Sequence, residues 1–202
     1  LIFLELNEIN FDYVSYYIDR GLLSNFDFLI KEHGLVLTKS EKLYHELEPW
    51  IQWPSVRTGK PYSVHRIFRL GDMEASGLAQ HWEILESHGF SVAAISPING
   101  SNKTLNSPFW ISDPWVNTKV SGNKFLRDLS KAVSQAVNDN AKEELSIKSA
   151  FTIFNALIRM GNFSSYGSYL QFFLGVLKKQ HWSKACILDR LLTDVFIYLW
   201  RK

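Results

Sequence analysis

Residues 1–6, Leu-Ile-Phe-Leu-Glu-Leu, form a short continuous apolar run of the kind found in strands buried in a parallel sheet. Apolar side chains at helical spacing follow over residues 11–18. Two more apolar runs, at residues 35–38 and 91–95, predict further strands, and residues 79–88 predict a helix before the second of these runs. Strand and helix therefore alternate, which predicts an α/β fold, a mostly parallel sheet flanked by helices.

The second part of the chain has a different pattern. Residues 98–122 are rich in Ser, Asn, Pro and Gly and predict a long loop. Beyond the loop the apolar spacing is helical throughout and predicts helices at residues 123–139, 146–160, 165–179 and 182–200. We therefore expect an α/β core portion over residues 1–122, which carries the candidate site, and a helical cap or insertion over residues 123–202.

The composition of the 202 residues is that of a folded globular protein, with 46% apolar and 21% charged residues. Seven Trp, eight Tyr and fourteen Phe exclude intrinsic disorder, because so much aromatic surface requires burial. The net charge of +2 gives no indication of a nucleic-acid partner. Cys186 is the single cysteine, which excludes an intrachain disulfide and a Cys-rich zinc site.

Hydropathy and the start of the chain bear on its location. No uncharged apolar run reaches the length of a membrane-spanning helix, so we expect no membrane span. The chain begins with Leu1 inside an apolar run, and we expect it to be a portion of a longer protein. The absence of a basic, apolar leader and the single cysteine favour a cytoplasmic location.

Two segments carry the side chains best suited to chemistry. Ligands of open α/β sheets bind beyond the carboxyl ends of the strands, and the first predicted strand delivers Asn7 and Glu8 to that edge. Their oxygen atoms can bind a hard cation, or they are a turn residue and a helix-start acid. Glu48 precedes Pro49 and an apolar stretch, which indicates a helix N-terminus that attracts anions. Glu48 is either a metal ligand or a simple helix-start acid.

Basic residues are concentrated just after the second segment. Arg57, Lys60, Arg66 and Arg69 form a local cluster that either clamps an anionic substrate or is a solvated face. His65 lies among them in a predicted loop, and a histidine in such a loop is more often solvated than catalytic. The sequence contains no Walker or dinucleotide-binding glycine loop and no Gly-x-Ser-x-Gly elbow. The candidate substrate-binding residues are therefore Arg57, His65 and Arg66.

These segments together resemble the alkaline phosphatase-like superfamily, and within it the branch of type I phosphodiesterases and nucleotide pyrophosphatases. That family has an apolar strand ending in a metal-binding Asp, and later a Trp-x-Ser-x-x-Thr-Gly motif, a Pro and a His-Gly-Ile run. Here residues 1–7 match the strand, and residues 53–59 read Trp-Pro-Ser-Val-Arg-Thr-Gly. Pro61 and residues 65–67, His-Arg-Ile, follow. The resemblance covers residues 1–100.

The resemblance implies hydrolysis or transfer of a phosphate or sulfate ester, with a Ser or Thr nucleophile at a helix N-terminus. The position of that nucleophile falls on Pro49, which has no hydroxyl. Ser55 and Thr58 are the nearest hydroxyl groups and are therefore the candidate catalytic residues.

The resemblance also implies two metal ions, usually zinc, although manganese, magnesium and calcium are alternatives. The implied metal ligands are Asn7, Glu8 and Glu48, with Asn7 at the position of the family's Asp. The later metal-binding segments of the family have no counterpart in residues 100–202. The chain is therefore expected to hold only half of a site.

Two functional hypotheses follow. The first is a metal-dependent hydrolase or transferase of phosphate- or sulfate-type esters, acting on a small-molecule, glycan or nucleotide-sugar-like substrate. The second is a degenerate, non-catalytic relative that binds a glycan or a protein partner through the tryptophans Trp50, Trp53, Trp110 and Trp115. The first hypothesis requires Glu8 and Glu48 to face a shared pocket.

Overall fold

The computed structural model describes residues 1–138, 145–180 and 182–202. Its helices are α1 (Phe11–Ile18), α2 (Ser24–His33), α3 (Pro49–Thr58), α4 (Tyr62–His65), α5 (Asp72–Ala75), α6 (His81–Ser87), α7 (Lys124–Asn138), α8 (Ile147–Met160), α9 (Tyr166–Leu177) and α10 (Trp182–Trp200). The strands are β1 (Ala94–Ile95) and β2 (Trp110–Ile111), and 3-10 turns lie at Tyr44–Glu46 and Phe163–Ser165.

The predicted α/β fold with a mostly parallel sheet is wrong. The described residues are mostly helical, and their only sheet is the parallel pair β1–β2, in which Ala94 faces Trp110 and Ile95 faces Ile111. Only the end of the strand predicted at residues 91–95 is paired. Its partner β2 lies inside the stretch that was predicted to be a loop.

The other two predicted strands have no pairing partner among the described residues. Residues 1–6 and 35–38 form no strand, and their apolar side chains are largely exposed, with Leu4 at 73% and Val36 at 86%. An apolar run raises the tendency to form a strand, but a strand exists only where a second segment completes its ladder. Here residues 5–7 instead lie along α3 and are held by side-chain bonds.

The helical second part of the chain is confirmed, since α7, α8, α9 and α10 fall at the four predicted segments. Residue 139, the last of the first predicted segment, lies outside the described residues. The core joins α7, α8 and α10, where Leu129, Ala156, Leu191 and Val195 are fully buried. Ile111 of β2 packs into the same cluster, so the short sheet is anchored on the helices. No helix of the described ranges has the length and hydropathy that a bilayer crossing requires.

Asp194 of α10 connects the last helices through a buried polar network. Its carboxylate accepts hydrogen bonds from the Asn162 backbone N–H at 2.9 Å and from the Ser165 and Tyr169 hydroxyls at 2.8 Å each. Arg190 donates from Nε to the Ser165 hydroxyl at 2.8 Å. Burial, followed by the hydrogen bond to Asp194, raises the pKa of Tyr169, so the phenol stays protonated and keeps donating. The network fixes the connection between α8 and α9 against α10.

Replacing Asp194 tests this network. Asp194→Ala leaves three donors around Asp194 without their acceptor, and the side chain is 1% exposed. We expect the free energy of unfolding, measured by urea denaturation, to fall by about 3 kcal/mol. Lys184→Ala, at an exposed position of the same helix, is the matched control and is expected to change stability by less than about 0.5 kcal/mol. Equal losses in the two variants would contradict a specific role for Asp194.

Candidate functional site

Helix α3 carries most of the predicted site and begins as the sequence predicts. Glu48 is the N-cap in an extended conformation, and Pro49 occupies the first helical position, where no N–H is needed. The Glu48 carboxylate makes no capping hydrogen bond and is exposed. Gly59, with φ of 66°, ends the helix in the left-handed conformation that glycine adopts without strain. Pro49 has no N–H, and the Ile51 and Gln52 N–H groups donate to the Glu48 carbonyl at 2.8 and 3.0 Å. In the first turn of α3 this leaves the Trp50 N–H without a helical acceptor, two residues along the chain from the exposed Glu48 carboxylate.

Pro54 interrupts the hydrogen bonding of α3, and a buried asparagine compensates for it. Proline has no N–H, so the Trp50 carbonyl four residues earlier loses its helical donor. Asn99 supplies the replacement, since its Nδ2 donates to the Trp50 carbonyl at 2.8 Å and to the Arg69 carbonyl at 3.2 Å. The Asn99 backbone N–H donates to Asp113 Oδ2 at 2.7 Å, and burial raises the pKa of the Asp113 carboxyl. Residues 99–113 are thereby fastened to the middle of α3.

A buried ion pair holds the opening segment along the other end of α3. Arg57 is 2% exposed, and its Nε donates to Glu5 Oε1 at 2.8 Å while Nη2 donates to Glu5 Oε2. Nη1 donates to the Ile98 carbonyl at 2.5 Å. The guanidinium carbon also lies 5.5 and 5.2 Å from the ring centroids of Trp53 and Trp82. The nitrogen atoms of Arg57, a predicted substrate-binding residue, are thus engaged within the chain.

A second bond defines the register of the opening segment on α3. Trp53 Nε1 donates to Asn7 Oδ1 at 3.1 Å. Two extended residues from Glu5 to Asn7 span about 6.6 Å, and four helical residues from Arg57 to Trp53 span about 6 Å. From Glu5 to Asn7 the segment therefore runs antiparallel to α3. Glu8 follows in a left-handed turn with φ of 53° and is exposed.

Ser55 and His65 are brought together, but as a structural pair. Ser55 Oγ lies 2.9 Å from His65 Nε2, and the His65 Nδ1 accepts the Ile67 backbone N–H at 2.9 Å. The neutral ring must then carry its proton on Nε2 and donate it to Ser55. Burial lowers the pKa of His65, which favours this neutral ring. In this geometry the imidazole has no lone pair to take a proton from the Ser55 hydroxyl.

The remaining predicted residues of this region lie apart from one another. Thr58 Oγ1 donates to the Pro54 carbonyl at 2.7 Å and accepts the Lys60 N–H at 3.3 Å, so it closes the end of α3. Arg66 is exposed and lies 6.0 Å from the Tyr62 ring. Of the predicted substrate-binding residues, Arg66 alone points its charge at the surface.

The predicted metal ligands Asn7, Glu8 and Glu48 all bind through oxygen. No group of three or more His, Cys, Asp or Glu side chains suited to a metal occurs in the part of the chain that the structure describes. Asn7, Glu8 and Glu48 offer two carboxylates and one amide oxygen, and that amide oxygen already accepts from Trp53. Such a set fits magnesium, manganese or calcium better than zinc, because it contains no His or Cys. It supplies only part of a coordination shell.

The four tryptophans proposed for stacking differ in exposure. Trp110 is fully buried and packs edge-on against Trp82 with centroids 5.0 Å apart. Trp50 donates from Nε1 to the Phe68 carbonyl at 3.0 Å, and Trp53 donates from Nε1 to Asn7 Oδ1. Trp115 is 46% exposed and lines a cleft. Trp115 is therefore the tryptophan of this set with a ring face open to a ligand.

Comparison of the chain with protein-family models, with curated proteins and with solved structures finds no match. The resemblance to the alkaline phosphatase-like superfamily therefore stays a prediction from the motif residues. Two residues that organise this region were missed from the sequence, Glu5 and Asn99. A signal existed for Glu5, the single charge in the apolar run, since a charge in such a run requires a buried partner. No local signal marks Asn99, because its partner carbonyl is 49 residues away.

The Glu5–Arg57 pair can be tested through stability. Glu5→Ala leaves the buried guanidinium without its carboxylate, and we expect the free energy of unfolding to fall by about 3 kcal/mol. Glu32→Ala, which removes an exposed carboxylate, is expected to change it by less than about 0.5 kcal/mol. A small effect of Glu5→Ala in urea denaturation would show that Arg57 does not depend on this partner.

The role of His65 predicts a pH dependence. Because the pKa of His65 is lowered by folding, the unfolded chain takes up a proton that the folded chain excludes, and stability falls as the pH drops below about 6.5. His65→Asn retains an acceptor for the Ile67 N–H but does not titrate, so it should show a smaller loss between neutral and acidic pH. His33→Asn, at an exposed histidine, should retain the wild-type loss. An unchanged pH profile in His65→Asn would exclude His65 as its source.

Proposed function

We propose that this chain carries part of the site of a metal-assisted hydrolase or transferase that acts on phosphate- or sulfate-type esters. The observation that supports the proposal is the register of the opening segment on α3, in which Glu5 binds Arg57 and Asn7 binds Trp53. This register places Asn7 beside Trp53 in the first half of α3, and Glu8 follows Asn7 in the chain. The two segments that carry the family resemblance are thereby in direct contact.

The helix start and the carboxylates have complementary roles in such a site. The positive end of the α3 helix dipole, with the Trp50 N–H in its first turn, attracts the anionic group of an ester. Glu8 and Glu48, with Asn7, are suited to hold a divalent cation next to that group. A bound cation would supply charge neutralisation on the ester oxygens. Arg66 is placed at the surface and can contribute to attracting an anionic substrate, whereas Arg57 instead holds Glu5 in position.

The nucleophile proposed here is water. Ser55 accepts a hydrogen bond from His65, and Thr58 is bonded within α3, so neither hydroxyl is poised for attack. Asn7 and Trp53 do not provide a base, because an amide and an indole do not accept a proton at neutral pH. Exposed Glu48, at the start of α3, and exposed Glu8, which follows Asn7, are the carboxylates proposed to orient a water molecule.

A non-catalytic relative that binds a glycan or protein partner is the second candidate. The observation in its favour is that Ser55, Arg57, Thr58 and His65 are all engaged in bonds within the chain. When the hydroxyl groups and the guanidinium are all engaged within the chain, none of them can act on a substrate. The exposed surface of the site can still bind a ligand. The two candidates differ in whether a cation binds and whether an ester is turned over.

Metal binding and turnover test the primary proposal. Manganese binding to the chain is measured by calorimetry, and chromogenic phosphate monoesters, phosphate diesters and sulfate esters are assayed in parallel. The double variant Glu8→Gln/Glu48→Gln is expected to weaken manganese binding and to lower turnover by at least about tenfold. Glu32→Gln, which removes a carboxylate from α2, should leave both unchanged.

The outcomes separate the two candidates. Manganese binding lost in the double variant, together with metal-dependent turnover, supports the hydrolase. Neither manganese binding nor turnover in the wild-type chain overturns it and leaves the non-catalytic candidate. Binding that is equally strong in the double variant would place the cation away from Glu8 and Glu48, which also contradicts the proposal.

A further inference from the structure

A cleft lies between residues 112–120 and helix α7. Its volume is about 440 Å³, which is in the range of clefts that hold small ligands. The side chains that can meet a ligand there are Trp115, Asn117, Arg127 and Lys131. None of them lies on α3 or on the opening segment.

The walls of the cleft are held in place by hydrogen bonds within the chain. Ser134 Oγ and Asn138 Nδ2 both donate to the Pro114 carbonyl, at 2.6 and 2.8 Å. The Ser112 and Ser130 hydroxyls lie 3.0 Å apart and bond to each other. These bonds fasten residues 112–114 to α7. A ligand therefore meets a preformed surface and does not have to order the loop, which reduces the entropic cost of binding.

Trp115 is the aromatic surface of this cleft. Its backbone N–H donates to Asp113 Oδ1 at 3.1 Å, which fixes the position from which the ring projects. The side chain is 46% exposed, whereas Trp82 and Trp110 are buried at 3% and 0%. A flat indole held at the edge of a cleft matches the apolar face of a sugar ring or of a nucleobase.

The charged side chains among the described residues that line the cleft are both cations. Arg127 and Lys131 are four residues apart on α7 and therefore lie on the same face of the helix. Arg127 donates from Nη1 to the Gly122 carbonyl, which orients its guanidinium. The nearby carboxylate of Asp128 is already paired with Lys124 at 2.5 Å. No carboxylate lines the cleft among the described residues, so both cations can face an anion.

We propose that this cleft binds an anionic oligosaccharide, with a sugar ring stacked on Trp115 and its carboxylate or sulfate paired with Arg127 and Lys131. Asn117, which is exposed at the rim, supplies an amide for the sugar hydroxyls. A nucleic acid is the less suitable ligand. Two cations and a net charge of +2 do not make the extended positive surface that a phosphate backbone requires.

Binding is measured through tryptophan fluorescence and calorimetry on the full chain at low ionic strength. The probes are a hyaluronan tetrasaccharide, a heparin-derived tetrasaccharide, neutral chitotetraose and a single-stranded oligonucleotide. We expect at least one anionic saccharide to bind about tenfold more tightly than chitotetraose, with an affinity that falls as salt is added. Trp115→Ala should weaken that binding by about tenfold or more.

Two charge variants and two controls complete the test. Lys131 is exposed, and Lys131→Gln should weaken the binding of the anionic saccharide about tenfold, so that its affinity approaches that of chitotetraose. Arg127→Gln should have the same effect. Circular dichroism establishes that each variant is folded, and Lys131→Gln suffices if Arg127→Gln is not. Trp182→Ala and Lys184→Gln, both at exposed positions of α10 away from the cleft, should bind as the wild type does.

Three results would overturn the proposal. These are no binding of either anionic saccharide, equal binding by Trp115→Ala and the wild type, and tighter binding of the oligonucleotide than of both saccharides. The test is independent of ester hydrolysis, because it uses neither metal nor turnover. Failure here leaves the proposal for α3 standing, and failure of that proposal leaves this one standing.

Discussion

The ion pair between Glu5 and Arg57 is the contact on which the first half of this structure depends. A guanidinium that is 2% exposed would be strongly destabilising without a carboxylate, and Glu5 is the carboxylate that reaches it. The same guanidinium donates to the carbonyl of Ile98. One side chain of α3 therefore holds both the opening segment and the entry to the long connection that leads to β2. The position of Asn7 and Glu8 relative to α3 therefore depends on this contact.

Hydrogen bonds from buried polar side chains, more than strand pairing, connect the segments of the first half of the chain. The ladder between β1 and β2 joins two residues of each strand, so it supplies few backbone hydrogen bonds. Asn99 instead bonds to the carbonyl that Pro54 frees in α3, and Asp113 accepts from the backbone of Asn99. The proline that weakens the helix thus creates the acceptor through which the connection is docked. Such buried bonds are directional, and they fix one arrangement of these segments.

Ser55 and His65 lie in contact but do not form a nucleophile–base pair, because both are engaged in structural hydrogen bonds. A serine and a histidine 2.9 Å apart look like a nucleophile and its base. The decisive group is the backbone N–H of Ile67, which occupies Nδ1 and leaves Nε2 as a donor. The groups that we propose for function are therefore exposed ones, the Glu8 and Glu48 carboxylates and the ring of Trp115. The two regions use different elements, so a ligand at one need not involve the other.

The sequence by itself determined the helices of the second half, because the spacing of apolar residues such as Leu126, Leu129 and Val133 is a local property of the chain. It also determined the start of α3 at Glu48 and Pro49, since proline at the first helical position is a local constraint. Only the tertiary structure decided that residues 1–6 form no strand, that Arg57 pairs with Glu5 52 residues away, and that Ser55 accepts from His65. Strand pairing, ion-pair partners and imidazole tautomers depend on contacts between distant segments, and no local pattern records which segments meet.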